Sequence, residues 1–120
     1  MNGPKRILIV IARLNVGGTS KYIQNLVQYS NRKEFNFLIA TGTVQGQEIE
    51  DNLVSDLPVL RIKHLGRKIS LRNDFLARKE ISKVIYRYRP ELIYTHTFKA
   101  GLLVRSLRLN VPLVHNFHGH

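Results

Sequence analysis

Residues 7–12 read Ile-Leu-Ile-Val-Ile-Ala, six apolar residues with no polar residue between them. An apolar run without alternation is typical of a strand that is covered on both faces, as in a parallel sheet packed between helices. The run at 59–62 is weaker, because it contains Arg61, and it suits an edge strand. Three further runs have the character of buried strands: 35–41, 92–95 and 112–117.

Helical periodicity fills the segments between these runs. Thr19 or Ser20 is the expected N-cap of the first helix, and Pro90 ends the third. Alternating strands and helices indicate successive βαβ units, which right-handed crossovers join into one open parallel sheet. We therefore predict an α/β, Rossmann-like fold with strand order 3-2-1-4-5 and helices on both faces. The predicted helices cover 19–31, 47–55, 73–89 and 99–109.

The size and composition of the chain fit one globular domain that spans residues 1–120. Its 43% hydrophobic and 22% charged residues are ordinary values and argue against disorder. The chain has no cysteine, which excludes a disulfide scaffold, a thiolate zinc site and a cysteine nucleophile. The apolar run that begins at Ile7 is closed by Arg13, so it is far shorter than the roughly 20 residues that span a bilayer.

The chain is strongly basic, with 19 lysines and arginines against 8 acidic residues and a formal charge of +11. Nucleic acid, an anionic membrane surface and a phosphorylated substrate are the candidate partners, and an ordinary solvated surface is the alternative. On the predicted helix 73–89 and the residues before it, periodicity places Leu71 and Phe75 on the apolar side with Ile81. A basic stripe on another side could rest on anionic lipid head groups. It consists of Arg72, Lys79, Lys83 and Arg87.

Ligands of open parallel sheets bind beyond the carboxyl ends of the strands, near the point where the strand order reverses. The first stretch at this edge contains Gly17 and Gly18, which allow close approach of a ligand and precede a helix amino terminus that attracts anions. A tight turn is the alternative explanation for the two glycines. No G-x-G-x-x-G occurs, and strand 2 ends in Thr41 and Gly42 instead of an acidic residue, which argues against a dinucleotide site.

Two further stretches at this edge carry polar residues. His96 directly follows the fourth predicted strand, and Thr97 and Lys99 come after it; these residues could bind hydroxyl and phosphate groups. In the last stretch, His118 and His120 share a face of an extended chain. The nearby sequence offers no carboxylates to complete a ligand set, so no metal site is predicted.

The segments NVGGTSKYIQNL, RKISLRNDFLA and RPELIYTHTFKAGLLVRSLRLNVPLVHNFHGH together resemble the amino-terminal half of family 4 retaining glycosyltransferases, which have the GT-B fold. That resemblance implies two Rossmann-like halves with the active site in the cleft between them. The first half binds the acceptor and the second binds the nucleotide-sugar. Residues 1–120 are then part of the acceptor side, without the carboxyl-terminal donor-binding domain, and the isolated chain is expected to be inactive.

The resemblance also implies roles for individual residues. Gly17 and Gly18 match the glycine loop that lines the cleft near phosphate groups. His118 matches the histidine that contacts the transferred sugar, which makes it the candidate catalytic residue. Candidate acceptor-side residues are His96, Thr97 and Lys99. Four positions depart from the family pattern. Asparagine at 116 replaces threonine, phenylalanine at 98 replaces serine, and Tyr94 and Thr95 replace more typical residues of the same segment.

The implied activity is hexosyl transfer with retention, from a nucleotide-sugar co-substrate to an acceptor hydroxyl, in bacterial surface-polysaccharide synthesis. The implied acceptor is a sugar or lipid diphosphate, and neither a cofactor nor an essential metal is expected. The expected location is the cytoplasm, peripheral to the inner membrane face. Two other classes stay open. One is a non-catalytic membrane- or acceptor-binding subunit of a split glycosyltransferase. The other is a basic nucleic-acid-binding module, although the chain lacks a recognised motif for it.

Overall fold

The computed structural model describes five ranges of the chain: 3–12, 18–30, 33–42, 58–65 and 70–116. Within these ranges the backbone forms five strands: β1 (Lys5–Ile11), β2 (Phe35–Thr41), β3 (Val59–Arg61), β4 (Leu92–His96) and β5 (Leu113–Asn116). The same ranges contain three helices: α1 (Gly18–Tyr29), α2 (Leu71–Tyr88) and α3 (Phe98–Ser106). The helix predicted at 47–55 lies outside the described residues.

The strands form one parallel sheet with the order β3-β2-β1-β4-β5, which confirms the predicted topology. Strand β1 is central and pairs with β2 along its whole length, from Lys5 opposite Phe35 to Ile11 opposite Thr41. On its other side β1 pairs with β4. The chain order reverses between β1 and β4, so the carboxyl ends of these two strands define the expected ligand-binding edge.

Alternate residues of β1 enter two separate cores, as the period of a strand requires. Ile9 and its neighbours on one face pack with Ile23 of α1. Leu8 and Val10 on the other face pack with residues of α2 and α3. Helices therefore cover both faces of the sheet, as predicted, and this explains why the run at 7–12 is apolar throughout.

The boundaries of α2 have clear local causes. The Ser70 hydroxyl accepts a hydrogen bond from the Asn73 N–H at 3.4 Å, and the Asp74 carboxylate accepts one from the Ser70 N–H at 3.2 Å. These contacts satisfy donors that every helix amino terminus leaves free. At the other end Arg89 has a φ of 53° and stops the helix before Pro90, which cannot continue it.

Two predictions about helix faces and caps are wrong in detail. Helix α1 begins at Gly18, so Thr19 and Ser20 lie in its first turn and neither is the N-cap. Leu71 is 90% exposed and Phe75 is 52% exposed, whereas periodicity placed them on the apolar side with Ile81. At about 100° per residue, these two positions lie roughly 80° and 120° around the helix from Ile81, and the sheet does not reach that far.

No described helix has both the length and the apolar character needed to cross a membrane.

Candidate functional site

The turn between β4 and α3 lies at the carboxyl edge of the sheet, where the strand order reverses. Thr97 in this turn has φ 71° and ψ 145°, a conformation that costs about 1–3 kcal/mol for a residue other than glycine. Its hydroxyl oxygen accepts a hydrogen bond from the Ala12 N–H at 3.2 Å, and its carbonyl accepts one from the Gly101 N–H at 3.2 Å. Thr97 therefore connects the end of β1 with the first turn of α3.

His96 precedes this turn. Its side chain lies on the face of the sheet that α1 covers, opposite to the face that α2 and α3 cover. Its side chain is fully buried, and the ring packs against Tyr94 with a centroid distance of 4.3 Å and against Tyr22 of α1 at 5.9 Å. The two tyrosine hydroxyl oxygens are 3.0 Å apart. Tyr22 is 41% exposed, so this Tyr22–Tyr94–His96 cluster reaches the surface through Tyr22.

Lys99 follows the turn and points toward α2. Its Nζ lies 2.9 Å from the Asp74 Oδ1, and the side chains are only 13% and 19% exposed. The ion pair joins the first turns of α2 and α3. Because Asp74 also accepts a hydrogen bond from the Ser70 N–H, its carboxylate is fixed from two sides.

A second polar contact, partly buried, lies on the α3 side of the sheet. The Thr95 hydroxyl oxygen is 2.7 Å from His115 Nδ1, which joins β4 to β5. The imidazole of His115 packs against the backbone of α3 at Gly101, where a Cβ atom would lie 2.6 Å from His115 Nδ1. Glycine at position 101 therefore makes room for His115, which is not among the predicted site residues.

The end of β2 is closed by backbone atoms. The Gly42 N–H donates to the Ala12 carbonyl at 2.9 Å, and Thr41 before it is fully buried. A Cβ atom at position 42 would lie 1.8 Å from the carbonyl oxygen of Leu65. The turn after β3 thus occupies the position at which dinucleotide-binding sheets carry an acidic residue.

The predicted site residues fall into two groups. Gly17 and His118 lie outside the described residues, while Gly18 is the first residue of α1. His96, Thr97 and Lys99 sit together at the carboxyl edge, but their side chains diverge toward α1, β1 and α2. Their roles toward a substrate stay predictions.

The structure adds Tyr22 and Asp74 as direct neighbours of predicted site residues. In the sequence, the only indication that Tyr22 lies near the site is its position one turn into the first helix. For Asp74 the only indication is its position four residues after a capping serine. Among the described residues no group of three or more histidine, aspartate or glutamate side chains could hold a metal ion.

The strand order and this edge define an α/β, Rossmann-like domain that matches one half of a GT-B protein. The chain belongs to Glycosyltransferase Family 4, whose family profile matches residues 16–120. A comparison with curated protein sequences finds no match.

Two solved structures have a similar fold. Sucrose-phosphate synthase from Thermosynechococcus elongatus aligns with a TM-score of 0.63 and 14% identity, over 96% of this chain and 33% of that one. The UDP-GlcNAc 2-epimerase from Methanocaldococcus jannaschii aligns with a TM-score of 0.54 and 17% identity, over 92% of this chain and 30% of that one. The chain thus spans about a third of the length of either protein, and at these identities the likeness shows the fold.

Proposed function

We propose that this chain is the acceptor-binding half of a retaining glycosyltransferase. In the reaction, the bond between the anomeric carbon and the donor diphosphate breaks, and the nucleoside diphosphate leaves with the electron pair. The acceptor oxygen forms the new bond on the same face of the sugar, and its proton is released. Family membership supports the transferase class, because the profile covers residues 16–120.

The observation that carries the proposal is the conformation of Thr97. Strained backbone is retained mainly at active sites and ligand clamps, where the surrounding contacts hold it. Here the positive φ is held by the hydrogen bond from Ala12 and by the first turn of α3. The strained residue lies at the switch point of the sheet, where open α/β sheets bind their ligands.

Roles follow for the residues around this turn. We assign the acceptor side to His96, Thr97 and Lys99, close backbone approach to Gly17 and Gly18, and contact with the transferred sugar to His118. Lys99 already faces a carboxylate, so an acceptor phosphate would share its ammonium group with Asp74. The buried His96 would support the acceptor side indirectly, through its ring contact with the half-exposed Tyr22.

The acceptor class that the charge favours is a sugar on a lipid diphosphate, as used in surface-polysaccharide synthesis at the inner membrane face. A formal charge of +11 attracts phosphorylated ligands over a long range. The nucleotide-sugar would bind to a second half or partner subunit. The departing diphosphate would be stabilised by fixed positive groups and helix dipoles, with no essential metal.

A nuclear magnetic resonance titration of the 120-residue chain tests this assignment. The ligands are a water-soluble, short-chain prenyl-diphosphate sugar and, separately, a panel of nucleotide-sugars. We expect the prenyl-diphosphate sugar to shift the amide signals of Thr97, Lys99 and Gly101, with little change from the nucleotide-sugars. Saturable shifts at these amides from a nucleotide-sugar alone would assign the edge to the donor and contradict the proposal.

A further inference from the structure

The side of α2 that points away from the sheet combines positive and apolar side chains. Leu71 is 90% exposed, Phe75 is 52% exposed and Tyr86 is 76% exposed. The cations between them are exposed too, and Lys79 Nζ lies 4.8 Å from the centre of the Phe75 ring. We call this surface the outer face of α2; it consists of Leu71, Arg72, Phe75, Lys79, Lys83 and Tyr86.

Both acidic residues of α2 are withdrawn from the outer face. Asp74 forms its ion pair with Lys99 of α3. Glu80 points toward the turn after β3, where its carboxylate accepts hydrogen bonds from the backbone N–H groups of Lys63 and His64 and contacts the His64 ring. The outer face is therefore positive along its length, although the helix sequence as a whole contains both signs of charge.

Helix α3 extends the apolar part of this surface. Phe98 is 69% exposed and Leu102 is 51% exposed, and both lie on the side of α3 that faces away from the sheet. The two helices cover the same face of the sheet and pack into one core. The ion pair between their first turns and the contact of Arg78 with Ser106 hold them side by side.

We propose that the outer face of α2, with Phe98 and Leu102 of α3, docks on an anionic lipid membrane. Cations near such a surface are attracted to its negative head groups, and apolar side chains between them enter the boundary of the acyl region. A nucleic acid would bind the positive charges and stack on the aromatic rings, but two exposed leucine side chains would add nothing to its binding. The combination of aliphatic and positive side chains therefore favours a lipid surface.

Docking in this way deepens the proposed function. The first turns of α2 and α3 start at the same edge of the sheet as Thr97. A membrane held against Leu71 and Phe98 would bring lipid head groups next to the candidate acceptor site. Only the link between docking and the acceptor site rests on the proposed function, because binding to a lipid surface does not require sugar transfer.

Cosedimentation with vesicles tests the surface directly. The probe is vesicles of phosphatidylglycerol and phosphatidylcholine in equal parts, compared with phosphatidylcholine alone. We expect binding to the anionic vesicles that weakens as salt screens the charges. The triple variant Arg72→Gln, Lys79→Gln, Lys83→Gln should lower the partition coefficient at least about tenfold. Leu71→Ser with Phe98→Ser should remove the part of the binding that resists salt.

A matched control variant distinguishes binding through the outer face of α2 from binding that depends only on the net charge of the protein. The triple variant Lys5→Gln, Lys21→Gln, Lys63→Gln removes the same number of exposed cations elsewhere, and it should keep nearly all of the binding. All variants should melt like the parent, because the changed side chains are exposed. Equal losses in the two triple variants, or no binding to anionic vesicles, would overturn the inference.

The outer face of α2 could instead bind nucleic acid or be covered by another part of a longer protein. Each of these occupants predicts a different experimental result, and either result overturns the inference. Binding to duplex DNA that depends on the outer face, with vesicles left unbound, would assign the surface to nucleic acid. Loss of vesicle binding in a longer protein that contains the second half would show that protein covers the face. The titration with a water-soluble acceptor uses no vesicles, so failure of that experiment leaves the lipid result unaffected.

Discussion

The ammonium group of Lys99 lies 2.9 Å from the Asp74 carboxylate, and this pair joins the first turns of two neighbouring helices. Side-chain exposures of 13% and 19% place it between a surface pair and a buried one. Pairs at the surface contribute about 0–1 kcal/mol, whereas breaking a buried pair costs about 3–5 kcal/mol. The contact therefore has consequences both for stability and for the candidate site.

We expect Asp74→Asn to lower the free energy of unfolding by about 2 kcal/mol, because the Lys99 charge stays partly buried without its counter-ion. Asparagine keeps an oxygen for the Ser70 N–H, so the cap of α2 is retained. Urea denaturation of Asp74→Asn, Lys99→Met and the double variant forms a cycle that isolates the pair. A coupling energy near zero would mean that the two groups do not interact in solution.

We expect Gly101→Ala to destabilise the protein, although alanine is normally the better residue inside a helix by about 1 kcal/mol. The added methyl group would meet the His115 ring at 2.6 Å, and such overpacking typically costs about 1–3 kcal/mol. The sign should reverse when His115→Ala opens the space, so Gly101→Ala becomes stabilising in that background. Thermal melts of the four proteins give the answer, and the same loss in both backgrounds would rule out this contact.

The third expectation concerns pH. Burial raises the pKa of the Tyr88 hydroxyl above its ordinary value of 10.0, and the positive charge of Arg6 and a backbone hydrogen bond with Ile7 only partly offset this. Well below pH 10 the tyrosine is neutral in both states and adds no pH dependence. Above it, the unfolded chain loses the proton first, so the folded state binds more protons and stability falls as pH rises.

Tyr88→Phe should therefore flatten part of the alkaline loss of stability. It also removes the hydrogen bond that the Tyr88 hydroxyl donates to the Asn36 carbonyl at 2.8 Å, at a cost of about 0.5–1.5 kcal/mol near neutral pH. Urea unfolding of both proteins between pH 7 and about pH 11 measures the two effects separately. Parallel stability curves across the alkaline range would show that Tyr88 titrates as it does in the unfolded chain.

The last expectation concerns His118, the residue assigned to the transferred sugar. In an active protein that contains both halves, His118→Ala should lower kcat/KM at least about tenfold, which is about 1.4 kcal/mol of transition-state stabilisation. The melting temperature should hardly change. His120→Ala is the matched control, and it should have a much smaller effect. Unfolding of the His118→Ala variant would mean that the histidine supports the core instead.

The sheet could be predicted from sequence because each buried strand is a short apolar run between helical segments. β1 shows this most clearly, since both of its faces are covered and no polar residue interrupts the stretch at 7–12. Helix faces were harder. The prediction grouped Leu71 with Ile81 although periodicity separates them by roughly 80° around the helix, and periodicity does not say whether the sheet covers so wide a face. The structure leaves Leu71 exposed.

The candidate site was predictable in position and less so in detail. The rule for the carboxyl edge led to His96, Thr97 and Lys99, and all three lie at that edge. Successive residues of a strand and the turn after it point in different directions, so each side chain contacts a different element. The contacts with Tyr22 and Asp74 depend on how helices far apart in the chain pack, which no local pattern contains.

The closed end of β2 limits how this domain can be redesigned. Installing an aspartate at position 42, the simplest step toward binding the ribose of a dinucleotide, would place the new Cβ atom 1.8 Å from the Leu65 carbonyl oxygen. The turn at 62–65 is held in turn by the Glu80 carboxylate, which binds the N–H groups of Lys63 and His64. Opening this end of the sheet to a dinucleotide would therefore require rebuilding the turn at 62–65, which a single substitution at position 42 does not achieve.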